Sequence, residues 1–306
     1  MFRPDFSALQ TGKQFLLLLL IFAACFLFST LLSVGVIYLL YGTEILGGLS
    51  DASSGGLYPG ALRWMQGINH AGSFLVTSLL FIYLAETPQG KKYLKGSIPD
   101  GSQLWLVFLL ILTATPWVAY VYEWNRNLQL PFGESLQQSL RIYEEKTEKI
   151  INQMLADTTT AGFLGNLFVM ALLPAIGEEF LFRGIIQRLF HKWWGHIHVA
   201  IWITALLFSI MHFSFSGLAP RLMLGAIFGY LFYFTRNIWL PVTAHFLNNS
   251  MALGAAFLEK RNLSDTPYED FGYFSTLWVN LLSIILTMII LAWFAMSRTS
   301  KANNEG

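Results

Sequence analysis

Three short stretches in the second half of the chain carry side chains whose types and spacing can do chemistry. They are GEEFLFRG, with Glu178, Glu179 and Arg183; FSIMHF, with His212; and PVTAHFLNNS, with His245 and Asn249. On a helix, Glu179 and Arg183 are four apart, share a face and can pair as ions. Glu178 points about 100° away and is left free by that pairing, in an apolar stretch where a carboxylate can serve as a general base. His245 and Asn249, again four apart, present an imidazole and an amide on one face. A carboxylate, two imidazoles and an amide converging in a dry cavity suit hydrolysis. Either the carboxylate activates water, or a metal held by His and Glu does so, while an Asn amide and a His N–H stabilise the oxyanion of amide cleavage.

The elements that must position these groups are set by an extreme composition. Of 306 residues, 55% are hydrophobic, 16% aromatic and only 12% charged, with a net charge of +1; the mean hydropathy is +0.52. This excludes a disordered chain and a nucleic-acid binder with a basic field. A lone cysteine, Cys25, excludes a disulfide framework and a Cys-based metal cage. The expected fold is all-α: a polytopic membrane protein with about eight transmembrane helices. Its apolar runs are 15–41, 71–85 (with an amphipathic lead-in from Ala61), 104–122, 161–176, 198–213, 218–234, 238–257 and 277–296. Gly225 and Gly229 form a GxxxG that permits close helix packing.

The expected organisation is a single membrane-embedded domain over 1–306. The loop from Glu123 to Thr160 contains an amphipathic helix at about 134–156, in which Leu136, Leu140, Tyr143, Ile150, Met154 and Leu155 follow 3–4 spacing. Basic residues near the helix ends, above all Lys91, Lys92 and Lys95, place both termini in the cytoplasm and the amphipathic helix on the periplasmic side. His191, His196 and His198 beside Trp193 and Trp194 read as an interfacial anchor. His70 reads as a lone structural histidine at a helix start.

Depth tests whether the candidate residues can meet. If the helix after Ala161 continues to Phe190, Glu178 lies 13 residues, roughly 20 Å, from the turn at His191. His212 lies roughly 21 Å from the same turn, and Asn249 and His245 roughly 18 and 12 Å from the turn at Asn237. The groups reach similar depths only with that long helix, which puts both glutamates inside the bilayer.

With these residues in place the sequence resembles the CPBP family of intramembrane metalloproteases, also called the CAAX-prenyl protease 2 or Abi family. The resemblance rests on Glu178-Glu179-x-x-x-Arg183, Phe208-x-x-x-His212 and His245-x-x-x-Asn249 in that order, and on GAIFGYLFYFTRNIWLPVTAHFLNN leading into the last. It covers about Leu172 to Met251, with a family core of about 160–257. It implies an intramembrane endopeptidase cleaving a membrane-anchored, lipidated peptide or protein; eukaryotic members remove the last three residues of prenylated CAAX proteins. By the same resemblance Glu178 activates water, His212 positions it, His245 and Asn249 stabilise the oxyanion, and Arg183 anchors Glu179. On the metalloprotease reading, Glu178, His212 and His245 would ligate a divalent metal such as zinc. The implied setting is the inner membrane of a bacterium, with the lipid bilayer and the substrate as partners and no nucleic acid. Two other classes compete: a non-proteolytic immunity or scaffold protein of the bacteriocin self-immunity type, and a transporter, which lacks the expected paired repeat.

Overall fold

In a computed structural model the protein is helical, and the described residues are 6–43, 58–87, 90–91, 94, 96–128 and 134–304, without side chains for 134–137 and 298–304. The helices are α1 (Thr11–Tyr41), α2 (Pro59–Ala85), α3 (Gly101–Arg126), α4 (Glu134–Leu155), α5 (Thr160–Trp194), α6 (Ile197–Ile210), α7 (Leu218–Thr235), α8 (Trp239–Lys260) and α9 (Leu277–Asn304). Six of them (α1, α2, α3, α5, α7 and α9) are long and apolar enough to cross a membrane. Two of the eight expected spans fall short of that standard. The 14 residues of α6 reach only about 21 Å of the roughly 30 Å hydrocarbon core. The 22 residues of α8 carry His245, Asn248, Asn249 and Ser250 in their midst. Of the three lysines that orient the chain, Lys92 and Lys95 lie outside the described residues.

The chain divides into two compact units. The first comprises Met1–Ala85, Leu130–Leu181 and Asn249–Tyr268; the second Glu86–Gln129, Phe182–Asn248 and Glu269–Gly306. The division falls within α5 and again within α8.

In the first unit, polar side chains join α1 to α2. Thr30 and Ser33 bracket Asn69 at 3.1 and 3.3 Å, so these groups satisfy one another where lipid cannot. The C-terminal end of α4 is built into this unit. Met154 packs with Ile37, Ala61, Leu62 and Val169, Leu155 with Leu253 and Ala256, and the Met154 carbonyl accepts from Asn166 Nδ2 at 2.8 Å. Beyond α4, Asp157 pairs with Arg63 at 2.7 Å. The Thr159 hydroxyl donates to Asp157 and accepts from the Gly162 N–H, which caps α5.

In the second unit, Trp117 Nε1 donates to Thr287 Oγ1 at 3.3 Å, and the Ser283 hydroxyl donates to the Thr113 carbonyl, joining α3 to α9. Pro116 disturbs the α3 ladder at this level, and a neighbouring helix reaches the backbone there. The GxxxG of α7 lies against α6: a Cβ at Gly225 would stand 3.0 Å from Ala205 Cβ, and one at Gly229 would stand 2.8 Å from Ile201 Cγ2.

Two outcomes follow from these contacts. Gly229→Leu overpacks α6 against α7 and should lower the melting temperature of the detergent-solubilised protein, at a cost of about 1–3 kcal/mol. Gly254→Ala, where an added methyl meets nothing within 4 Å, should not lower it. The second outcome concerns pH. The Thr159 hydroxyl, then the Arg63 guanidinium, hold the Asp157 carboxyl below the usual carboxylate range. A depressed folded value stabilises the fold above the unfolded value, and that contribution is lost as pH falls through the depressed one. The melting-temperature gap between wild type and Asp157→Asn should be full above about pH 4 and close on further acidification.

Candidate functional site

Helix α5 carries the acidic pair. It runs unbroken from Thr160 to Trp194, the length that the depth argument requires. Within it, residues Leu167–Leu172 and Phe182–Ile186 form widened, π-type turns, and α2 has another at Ala71–Val76. Such turns offset the regular helical register and free carbonyls for other donors.

In the first unit Glu178 and Glu179 are both buried. Glu178 is not left alone as the helix spacing suggested. His70, on α2 just before its widened turn, places Nε2 3.6 Å from Glu178 Oε1, with both side chains buried. The His70 ring also stacks on Phe74, with centroids 4.5 Å apart. Gly177 makes the approach feasible: a Cβ there would come within 3.0 Å of Phe74 Cβ and 3.6 Å of His70 Nε2. Sequence reading passed over His70 because its partner lies on another helix. The one local signal is an imidazole at the end of the amphipathic lead-in, directly before the apolar run from Ala71. Asn249 belongs to the same unit, and its Nδ2 donates to the Met170 carbonyl at 3.4 Å, inside the widened turn at Leu167–Leu172.

In the second unit Arg183, His212 and His245 gather around one ring, that of Phe208. The Arg183 guanidinium carbon lies 4.8 Å from the Phe208 centroid and 5.4 Å from that of Phe228, and Nη2 donates to the Gly225 carbonyl at 3.0 Å. The His245 ring packs edge-on to Phe208 at 5.9 Å and stacks on Phe228 at 5.4 Å. The His212 ring meets the Phe208 edge at 4.9 Å.

His212 does not sit in a helix. α6 stops at Ile210, and His212 lies in the following turn, ahead of Phe213 with its left-handed backbone (φ +48°). Its Nδ1 is 2.8 Å from the Phe208 carbonyl. A carbonyl can only accept, so Nδ1 carries the hydrogen and a neutral ring presents Nε2 as an acceptor. The loop that follows is held by Asn125 of α3, whose Nδ2 donates to the Phe215 carbonyl at 2.6 Å and whose Oδ1 accepts from the Ala219 N–H at 3.1 Å. His198, read as part of an interfacial anchor, bonds Tyr230 through Nδ1 at 2.9 Å.

A zinc ion needs three or four protein ligands at bonding distance. Among the described residues of either unit, no three His, Cys, Asp or Glu side chains come together to supply them.

Residues 160–251 match the family described as Type II CAAX prenyl endopeptidase Rce1-like. The uncharacterized protein YpbD of Bacillus subtilis (strain 168) is 33% identical over 86 residues, which is 27% of this chain and 41% of that protein. The chain thus matches less than half the length of that relative. No solved structure matches the chain.

Arg183 offers a test of the second unit's arrangement. Arg183→Lys keeps the charge but cannot lie flat over two phenyl faces while donating to Gly225. It should lower the melting temperature by an amount equivalent to about 1–3 kcal/mol, and Arg183→Leu should lower it at least as far.

Proposed function

We propose that this integral membrane protein, whose residues 160–251 match the Rce1-like type II CAAX prenyl endopeptidase family, is an intramembrane endopeptidase. It hydrolyses a peptide bond of a membrane-anchored, lipidated substrate with water activated by Glu178. The observation that carries this reading is that all three motifs lie, in order, inside the matched segment. It is supported by the burial of Glu178 beside His70 on apolar helices, since ionisable groups are costly there and mark function.

In the proposed reaction the Glu178 carboxylate takes a proton from water as the oxygen attacks the scissile carbonyl, and that proton passes to the departing amine. His70 holds the carboxylate from the side. His212, with Nε2 as acceptor, orients the water. His245 and Asn249 donate to the oxyanion. Glu179 and Arg183 keep α5 in place. The metal-dependent form of the same proposal gives Glu178, His212 and His245 to a divalent ion such as zinc. The proposed setting is a bacterial inner membrane, with both termini cytoplasmic and α4 at the periplasmic face.

The test is cleavage of lipidated, membrane-anchored peptides by the purified, detergent-solubilised protein, with Glu178→Gln alongside and with and without chelator. Glu178→Gln should lower kcat by a factor of about 10³ or more at unchanged melting temperature. Loss of activity in chelator supports the metal-dependent form, and its persistence the metal-free one. A Glu178→Gln protein as active as wild type removes the assignment of the base. A folded wild type that cleaves none of the peptides moves the reading to the immunity or scaffold class.

A further inference from the structure

We propose that Asn125, outside the matched segment, is the positioning residue for His212. This rests on the reading that His212 works in hydrolysis. Asn125 sits near the C-terminal end of α3 and is only 2% exposed. Both ends of its amide are used on the segment that follows His212: the donor on the Phe215 carbonyl and the acceptor on the Ala219 N–H. That second bond has a definite task. The first N–H groups of a helix have no partner within it. α7 begins after Gly217, which has no side chain to cap it. Asn125 therefore caps α7 from another helix while gripping the loop one turn earlier.

The loop needs such a grip. α6 ends without a glycine or proline to stop it, and Phe213, next to His212, takes a left-handed backbone that a non-glycine residue adopts only when its surroundings impose it. Ser209 Oγ donates to the Leu218 carbonyl at 2.6 Å, closing the base of the loop. Arg221 Nη1 reaches the Ser214 carbonyl at 3.5 Å. Of these ties, Asn125 alone reaches in from another stretch of chain with two bonds, donor and acceptor on one buried side chain. No other side chain of that length both donates and accepts: Asp only accepts and Leu does neither. With the loop fixed, the His212 Nδ1–H stays on the Phe208 carbonyl and Nε2 keeps its aim. Asn125 touches no reacting atom. It acts through the loop.

The test uses the full-length protein in detergent with Asn125→Leu and Asn125→Asp. Hydrogen exchange should speed by about tenfold or more at Ala219 and across 212–217 in Asn125→Leu, with the middle of α3 unchanged. Asn125→Asp keeps the acceptor and should retain protection at Ala219. In the peptide assay kcat should fall by about tenfold while KM stays within about twofold, with Asn125→Asp between Leu and wild type. Unchanged exchange at Ala219 overturns the proposal. So does a loosened loop with wild-type kcat. Exchange needs no substrate, so it separates failure of this proposal from failure of the proteolytic reading, which Glu178→Gln decides.

Discussion

A guanidinium among hydrocarbon is tolerated only where negative potential surrounds it, and in the second unit that demand organises much else. Arg183 is fully buried, lies over the faces of Phe208 and Phe228, and donates to the Gly225 carbonyl. Ring faces carry negative charge density, and a backbone carbonyl adds a directed acceptor. Four residues on, the pattern repeats: Gln187 Nε2 donates to the Gly229 carbonyl at 3.2 Å. Polar residues spaced by four on α5 thus meet glycines spaced by four on α7, and the same glycines admit α6 on their other side. The ring that solvates Arg183 also braces His212 and His245, so Phe208 couples the buried charge to the two imidazoles. This gives the Phe-x-x-x-His spacing a physical meaning. One residue supplies a ring to the histidine side chain and a carbonyl to its Nδ1–H.

The first unit solves a related problem differently. A widened turn leaves carbonyls without their usual partners, which in lipid must be found elsewhere. The Met170 carbonyl lies in such a turn and accepts from Asn249. The widened turn of α2 begins directly after His70. In both cases the irregular backbone stands next to a residue with polar chemistry.

Much of this was legible in the sequence where the signal is local. The unbroken α5 followed from matching depths, α4 from 3–4 spacing, and the close α6–α7 approach from Gly225 and Gly229. What the sequence hid was non-local or violated the regular period. His70 meets Glu178 across more than a hundred residues, and nothing beside either announces the other. α6 ends at Ile210 with no glycine or proline to mark the place, so the apolar run reads on to Phe213. Six of the expected runs are helices long and apolar enough to cross a membrane, while α6 is short and α8 carries polar residues at its centre.

The same energetics bear on which class of protein this is. Replacing a buried ion pair by well-packed apolar side chains is often neutral or stabilising. A bundle that serves only as a scaffold gains no stability from holding Glu178 and His70 together out of water, and it could hold α2 against α5 with apolar groups at the same places. Structural polar contacts of the ordinary kind are present in this chain and look different: Thr30 and Ser33 on Asn69, and Trp117 on Thr287, are neutral hydrogen bonds. The ionisable pair, by contrast, is costly where it sits and contains a carboxylate able to take a proton. That contrast between inexpensive neutral glue and an expensive titratable pair is the physical ground for reading Glu178 as chemistry and not as packing.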